Sequence, residues 1–258
     1  MSLKILVTGS DGFIGQHVVK LAEARGHQVH KLDRKSRLDI SQLPAYWFAD
    51  YDVVIHLAAS IDISESIDKP WKYVEDNIIA LKKLKQAKRV VFASSAAVYG
   101  KYSPYGYTKR LGESLLPKNS ISLRLFNPFG PGENHERETH IVPLLAEAGS
   151  GGRDVTLYQR GMQIRDFIYI DDVARAFVLS AESNVTGTFD LCNEPIAIRV
   201  VANIMNVPYA LDKALRDSGD SDILVGDNRP LIHAIGWIPE VDVREKLKNW
   251  RDWYNSNR

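Results

Sequence analysis

The sequence predicts an α/β fold built on a doubly wound parallel sheet. Three observations carry that prediction. Short apolar runs alternate with helix-length segments through the first 126 residues. The runs are apolar at consecutive positions, as strands covered on both faces require. A glycine-rich turn joins the first run to the first helical segment.

The elements follow in order. Leu3 to Thr8 reads as the first strand, and Phe13 to Ala24 as a helix that Gly26 is placed to stop. Gln28 to Leu32 and Val53 to Ala58 read as the next two strands. Tyr73 to Ala87 has helical spacing, and Arg89 to Ala93 is another buried strand. After residue 126 the pattern loosens. Asn127 to Gly132 reads as a turn-rich break and Gly149 to Gly152 as a flexible connector. Ile168 to Ile170 and Phe189 to Leu191 read as short strands around a helix from Asp172 to Glu182. The last 20 residues read as a terminal helix packed by Trp237, Trp250 and Trp253.

Composition narrows the function classes. The 258 residues carry 33 Lys+Arg against 32 Asp+Glu, so no basic footprint points to nucleic acid or an anionic membrane. One cysteine, Cys192, excludes an internal disulfide framework and a cysteine zinc cluster. His135 and His140 flank an acidic stretch, but their spacing in a turn-rich loop reads as a solvated segment, so no metal is expected. No apolar run reaches the roughly 20 residues that span a bilayer, and no secretory leader is visible. A cytoplasmic protein is the expectation.

The first turn carries chemistry. In Thr8-Gly9-Ser10-Asp11-Gly12-Phe13-Ile14-Gly15, Gly9 allows the tight turn and Gly12 lets backbone approach a pyrophosphate at the helix N-terminus. Gly15 allows close helix–strand packing. Asp33 follows the second strand, where a carboxylate accepts hydrogen bonds from an adenosine ribose. Dinucleotide binding is the reading. Asp33 favours NAD, because a carboxylate repels a 2′-phosphate. Arg34, Lys35 and Arg37 follow at once and leave NADP open.

A second constellation lies downstream. Tyr105 and Lys109 are four apart and share a helix face. A lysine ammonium near a tyrosine lowers the phenol, letting it exchange a proton while hydride passes to or from nicotinamide. Upstream stands Val91-Phe92-Ala93-Ser94-Ser95-Ala96-Ala97-Val98-Tyr99-Gly100. With the G-x-x-G-x-x-G spacing and Pro104-Tyr105-Gly106-Tyr107-Thr108-Lys109, this resembles the NAD-dependent epimerase/dehydratase family, the extended short-chain dehydrogenases. Arg124 to Gly132, Val142-Pro143 and Arg165 to Ala174 resemble further family segments, so the resemblance runs through nearly the whole chain.

The resemblance implies a Rossmann-type fold with a small, reduced α/β substrate lobe at the C-terminal side. Residues 1–126 would form the dinucleotide-binding domain, rejoined by about 165–200, and 127–164 with 201–258 the substrate lobe. It implies Ser95, Tyr105 and Lys109 as catalytic residues, with Ser94 as fallback for the serine. It implies cofactor contacts from Gly9, Asp11, Gly12, Phe13, Ile14, Gly15, Asp33, Arg34, Asp39, Ile40, Leu57, Ala58, Ala59, Tyr105 and Lys109. Ser95, Asn127, Arg165 and, more weakly, Arg216 would meet a nucleotide-sugar substrate, the arginines at its diphosphate. His56 reads as a packed histidine and Asn77 as structural. A homodimer is implied by the resemblance alone.

Departures from the family limit the activity. Only nine residues separate Ser95 from Tyr105, where relatives carry a longer loop. Ala96 and Ala97 stand where dehydratases place an acid pair, so dehydration is not expected. The stretch from Asp33 to Asp39 is compressed, as in some 4-keto sugar reductases. The glycine-rich string that family members carry near Cys192 is absent and the C-terminal region is short. The leading expectation is a nucleotide-sugar epimerase acting at C4 through a transient 4-keto sugar. A nucleotide-sugar 4-keto reductase that consumes NAD(P)H is the alternative, and a non-catalytic NAD(P)-binding protein the third.

Overall fold

The computed structural model describes residues 2–36, 39–100, 103–133, 140–152, 154–214 and 222–256. The chain opens with β1 (Lys4–Thr8), α1 (Phe13–Ala24), β2 (Gln28–Leu32), β3 (Val53–His56) and α2 (Ile63–Asp68). α3 (Pro70–Val74) continues without a break through a π-helical stretch, Glu75–Ile79, and a 3-10 stretch, Ala80–Gln86. β4 (Val90–Ser95), α4 (Pro104–Leu115), β5 (Ser120–Leu125) and β6 (Asn127–Phe129) follow. Then come α5 (Ile141–Gly149), β7 (Thr156–Leu157), β8 (Ile164–Tyr169), α6 (Ile170–Glu182) and β9 (Gly187–Leu191). The described chain ends with β10 (Glu194–Ala197), α7 (Ile198–Ile204), β11 (Ala210–Leu211), β12 (Ile223–Leu224), α8 (Arg229–Ile235) and α9 (Val243–Ser256).

Six strands form one parallel sheet in the order β2-β1-β3-β4-β5-β9. Successive side chains of a strand point to opposite faces. Ile5 and Val7 therefore enter one core with Val18, Val19 and Ala22 of α1 and Phe177 of α6. Leu6, Val54 and Phe92 enter a second core with Ala80, Leu81 and Leu84. Two buried cores on one sheet explain the uninterrupted apolar runs. After β1 the chain passes to β2 on one side and returns to β3 on the other. Ligands of such sheets bind in the crevice at the carboxyl ends of the strands flanking that reversal.

Beyond β5 a second sheet has the order β10-β8-β12, with β6 paired to β8. Buried carboxylates hold this lobe. Asp166 of β8 accepts from the backbone N–H of Asn193 at 2.8 Å and of Gly226 at 3.3 Å. Asp172 of α6 accepts from the N–H groups of Glu240 and Val241, and its carbonyl accepts from Trp237 Nε1 at 3.0 Å.

Several expectations change. Asn127-Pro128-Phe129 is a strand rather than a break; Asn127 pairs with Phe167 in register. Pro128 is tolerated because β6 has a partner only on its β8 side. The third strand stops at His56, two residues early. The helical stretch expected from Tyr73 begins at Pro70, since proline at a first helical position loses no hydrogen bond. Trp237 packs outside the terminal helix, just after α8. Of residues 165–200, α6 and β9 rejoin the first sheet, whereas β8 and β10 pair in the second. Among the described residues no helix is long and apolar enough to cross a membrane.

Candidate active site

The glycine turn after β1 is shaped by what glycine omits. Gly9 has φ of +73°, and a Cβ there would lie 2.8 Å from the Ala58 nitrogen. A Cβ on Gly15 would lie 2.0 Å from the Gly9 carbonyl oxygen. The turn is thereby pressed between the end of β3 and the first turn of α1. Gly12 starts α1 with no side chain capping it, so the helix N–H groups face the cavity unscreened. Asp33 stands beside this turn, accepting from Asp11 N at 3.1 Å and Lys35 N at 2.9 Å.

A cavity of about 950 Å³ runs from this turn to the second lobe. That is the upper end of the range of roughly 300–1,000 Å³ for small-molecule sites. Gly9, Gly12, Phe13, Ile14, Gly15, Asp33, Arg34, Ile40, Leu57, Ala58 and Ala59 bound it. Ser95, Tyr105, Lys109, Asn127 and Arg165 do too, so one cavity gathers most of the candidates. Asp11 and Asp39 do not reach its wall. The Asp11 backbone serves Asp33, while the Asp39 carboxylate caps Ser41 N at 2.7 Å and pairs with Arg34. Arg216 and His135 lie outside the described residues.

The candidate catalytic group spans β4 and α4. Ser95 ends β4, its Oγ accepting from Ala97 N at 3.1 Å. Ser103 caps α4 through Gly106 N at 3.0 Å, and Pro104 takes the first helical position. A Cβ on Gly106 would lie 2.5 Å from the Ala97 carbonyl oxygen, so glycine lets the helix start against the turn after β4. Tyr105 and Lys109 are both buried there.

The electrostatics differ from the simple lysine–tyrosine expectation. Burial pushes the Tyr105 phenol above its ordinary value, and Ser95 works the other way. Lys109 directs Nζ at the Ala93 carbonyl, 2.8 Å away, and stands 6.0 Å from the centre of the Tyr105 ring. Burial drives Lys109 down to about 7. His56 is held at about 3 by burial and then by the Lys109 charge, with Thr8 Oγ1 2.7 Å from its Nδ1 and Phe92 stacked on its ring. It is a packed histidine. Asn77 bonds both backbone groups of Ser60 and the Thr108 hydroxyl, a structural role.

Lys109 gives a pH signature. Between about pH 7 and its unfolded value of 10.5, the unfolded chain holds a proton that the folded chain releases. Stability rises with pH wherever the unfolded state binds more protons. The burial penalty is therefore full below about pH 7 and fades as pH climbs through that window. Lys109→Met should raise stability at pH 7 more than at pH 9.5, read by urea unfolding at both. Equal gains at the two would contradict it.

Other groups on the wall escaped sequence reading. His140 Nδ1 lies 2.8 Å from Glu133 Oε1, and both residues bound the cavity. His140 is thus a wall residue rather than part of a solvated segment. Glu133 is buried, and its Oε2 has no hydrogen-bond partner among the described residues. Asp76 and Ser60 bound the cavity beside Arg34. The only sequence signal for Asp76 is its place next to Asn77. On the second-lobe side, Asn127 Nδ2 donates to the Asp166 carbonyl at 2.9 Å, and Arg165 is buried with one donor on its neighbour Ile164.

Comparison decides the family: residues 5–192 match the NAD dependent epimerase/dehydratase family. The chain belongs to that family. As a family member it has NAD as its cofactor, and the glycine turn, the bare α1 N-terminus and Asp33 fit such a ligand. The chain is 28% identical to a UDP-glucose 4-epimerase of Corynebacterium glutamicum, covering 94% of this chain and 93% of that protein. That alignment runs over 305 positions, more than this chain's 258 residues, so the chain carries deletions relative to it. It superposes with a TM-score of 0.86 on the UDP-N-acetylglucosamine 4-epimerase of Methanobrevibacter ruminantium, solved with UDP-N-acetylmuramic acid. That pair is 26% identical, over 100% of this chain and 99% of that one. The UDP-glucose 4-epimerase of Thermus thermophilus, solved with NAD, gives 0.83 at 26% identity, over 98% and 99% of the chains.

Proposed function

We propose that this family member is an NAD-dependent nucleotide-sugar 4-epimerase. The observation that carries the reading is the convergence of Ser95, Tyr105 and Lys109 with the glycine turn on one cavity. The names of its relatives support the substrate class. NAD, when bound, supplies the hydride acceptor. Gly9, Gly12 and Gly15 admit its pyrophosphate to the α1 N-terminus, and Asp33 accepts from a ribose hydroxyl. Tyr105 takes the proton of the sugar C4 hydroxyl and returns it, and Ser95 donates to the same oxygen. Lys109, on the Tyr105 face of α4, stabilises the Tyr105 phenolate that accepts this proton, against the burial that raises the phenol.

Arg165 and Asn127 bound the cavity from the second lobe, and we assign them to the sugar-nucleotide diphosphate side. Dehydration finds no acid–base pair after Ser95. Ala96 is buried there, and the Ala97 carbonyl backs the start of α4. The 4-keto reductase reading leaned on the compressed stretch after Asp33 and on the basic residues there; the second support weakens, because Arg34 is paired with two carboxylates.

The test is to incubate the purified chain with UDP-glucose or UDP-N-acetylglucosamine and follow the C4 epimer by NMR. Epimer formation with no net change at 340 nm is expected. Stoichiometric NADPH oxidation on a 4-keto nucleotide sugar, without epimer, would refute it.

We also infer a homodimer through α2, α3 and α4, which pack on one another. Ile67, Trp71, Tyr107, Leu111 and Leu115 are exposed on these helices, Trp71 at 77%. Large exposed apolar groups gathered on one surface mark an interface. Leu111→Glu should turn a dimer into a monomer in light scattering; a wild-type monomer refutes the inference.

A further inference from the structure

Cofactor choice in this fold turns on the 2′ position of the adenosine ribose, beside the acid that ends the second strand. Here that acid is Asp33, and Arg34 and Lys35 follow it on the cavity wall. By sequence alone Arg34 is placed to grip a 2′-phosphate. The structure gives its guanidinium two other partners. Arg34 Nε donates to Asp39 Oδ2 at 2.7 Å, and a terminal nitrogen donates to Asp76 Oδ1 at 2.8 Å.

Both carboxylates are fixed from their far sides. Ser60 Oγ donates to Asp76 Oδ2 at 2.6 Å, and Ser41 N donates to Asp39 Oδ1 at 2.7 Å. Asp76 arrives from the π-helical stretch after α3, and Asn77 beside it is pinned to Ser60 through both of that residue's backbone groups. The Asp76 side chain is only 14% exposed. Withdrawing Arg34 would strip this largely buried carboxylate of the guanidinium that bonds it, a costly state. Burial opposes ionisation of Asp76, but Arg34 and Ser60 together hold its carboxyl below the ordinary range.

We propose that Asp76 is a cofactor-specificity residue, a latch that with Asp39 occupies Arg34 and so turns the adenosine end of the cavity against a 2′-phosphate. Asp39 and Asp76 then set two carboxylates on one guanidinium, while Asp33 accepts from the Asp11 and Lys35 backbone N–H groups beside it. Lys35 is the other described cation there, with Nζ 3.4 Å from the Asp11 carbonyl. The wall left beside the ribose suits a neutral 2′-hydroxyl, which donates to Asp33. This rests on the reading of the cavity as a dinucleotide site.

The test is direct binding. NADH and NADPH are titrated by fluorescence into the full chain, its Asp76→Asn variant and the Asp76→Asn/Arg34→Ala double variant. The expected wild-type chain prefers NADH. Asp76→Asn should tighten NADPH about tenfold and leave NADH within about twofold, since asparagine keeps Ser60 paired but frees the guanidinium. Adding Arg34→Ala should erase the gain, which separates release of the arginine from mere loss of a negative charge. The latch is overturned if wild type prefers NADPH, if Asp76→Asn leaves NADPH affinity unchanged, or if the gain survives Arg34→Ala. Should Asp76→Asn lose NADH as well, Asp39→Asn frees the other arm of Arg34 and must show the same gain, or the latch fails. A wild-type chain that binds neither dinucleotide sinks the cofactor reading instead.

Discussion

Tyr105→Phe should lower kcat by about 10²–10⁴-fold, the range over which a positioned acid–base group contributes, while NADH affinity stays within about twofold. The hydroxyl sits on the cavity wall in the first turn of α4, where Ser103 and Pro104 fix the helix start independently of the phenol. Phenylalanine keeps the ring and its edge contact with Tyr73. Only the proton-transferring atom is lost. Stopped-flow assay of epimerisation with parallel cofactor titration reads both quantities. A variant with wild-type kcat would move the acid–base role elsewhere.

Gly15→Ala should be strongly damaging. Its Cβ would fall 2.0 Å from the Gly9 carbonyl oxygen and 2.8 Å from the Ser10 Cα, both backbone atoms that no rotamer change can clear. The turn must lift away from α1. Overpacking of this kind costs about 2 kcal/mol, or roughly 4–8 °C of Tm in a chain of this size. The lifted turn also leaves the helix N-terminus that would hold a pyrophosphate, so NADH affinity should fall at least tenfold. Calorimetry and titration check the two losses together. Retention of both would mean the turn has slack that its close contacts deny.

Much of the fold was legible because its signals are local. α1 and β2 begin and end where glycines and apolar spacing place them. The strand at Asn127 was not legible, because Pro128 argues for a turn until β8 supplies the partner that makes an edge strand of it. The site divides the same way. Gly9, Gly12, Gly15, Asp33 and the Tyr105–Lys109 pair are motifs at fixed spacing, and the structure brings them to one cavity. The fate of Arg34 was hidden, because one partner lies five residues away and the other forty-two. Glu133 and His140 were hidden for a related reason, since burial turned an acidic surface segment into cavity wall. Lys109 shows the limit of spacing arguments. Sequence places it on the face of Tyr105, but only packing shows its ammonium turned to the Ala93 carbonyl.

The last strand of the first sheet bears on how the polypeptide is made. β9 pairs with β5 from Ile121↔Gly187 to Leu125↔Leu191, and the whole excursion through β6, α5, β7, β8 and α6 lies between those partners. A nascent chain that has emerged through β5 carries the glycine turn and the Tyr105 helix but offers an open strand to its surroundings. Open strands template pairing with other chains. The β5 edge stays uncovered until residue 191 has emerged, so the stretch 126–191 is the interval of synthesis in which this sheet is most exposed to wrong pairing.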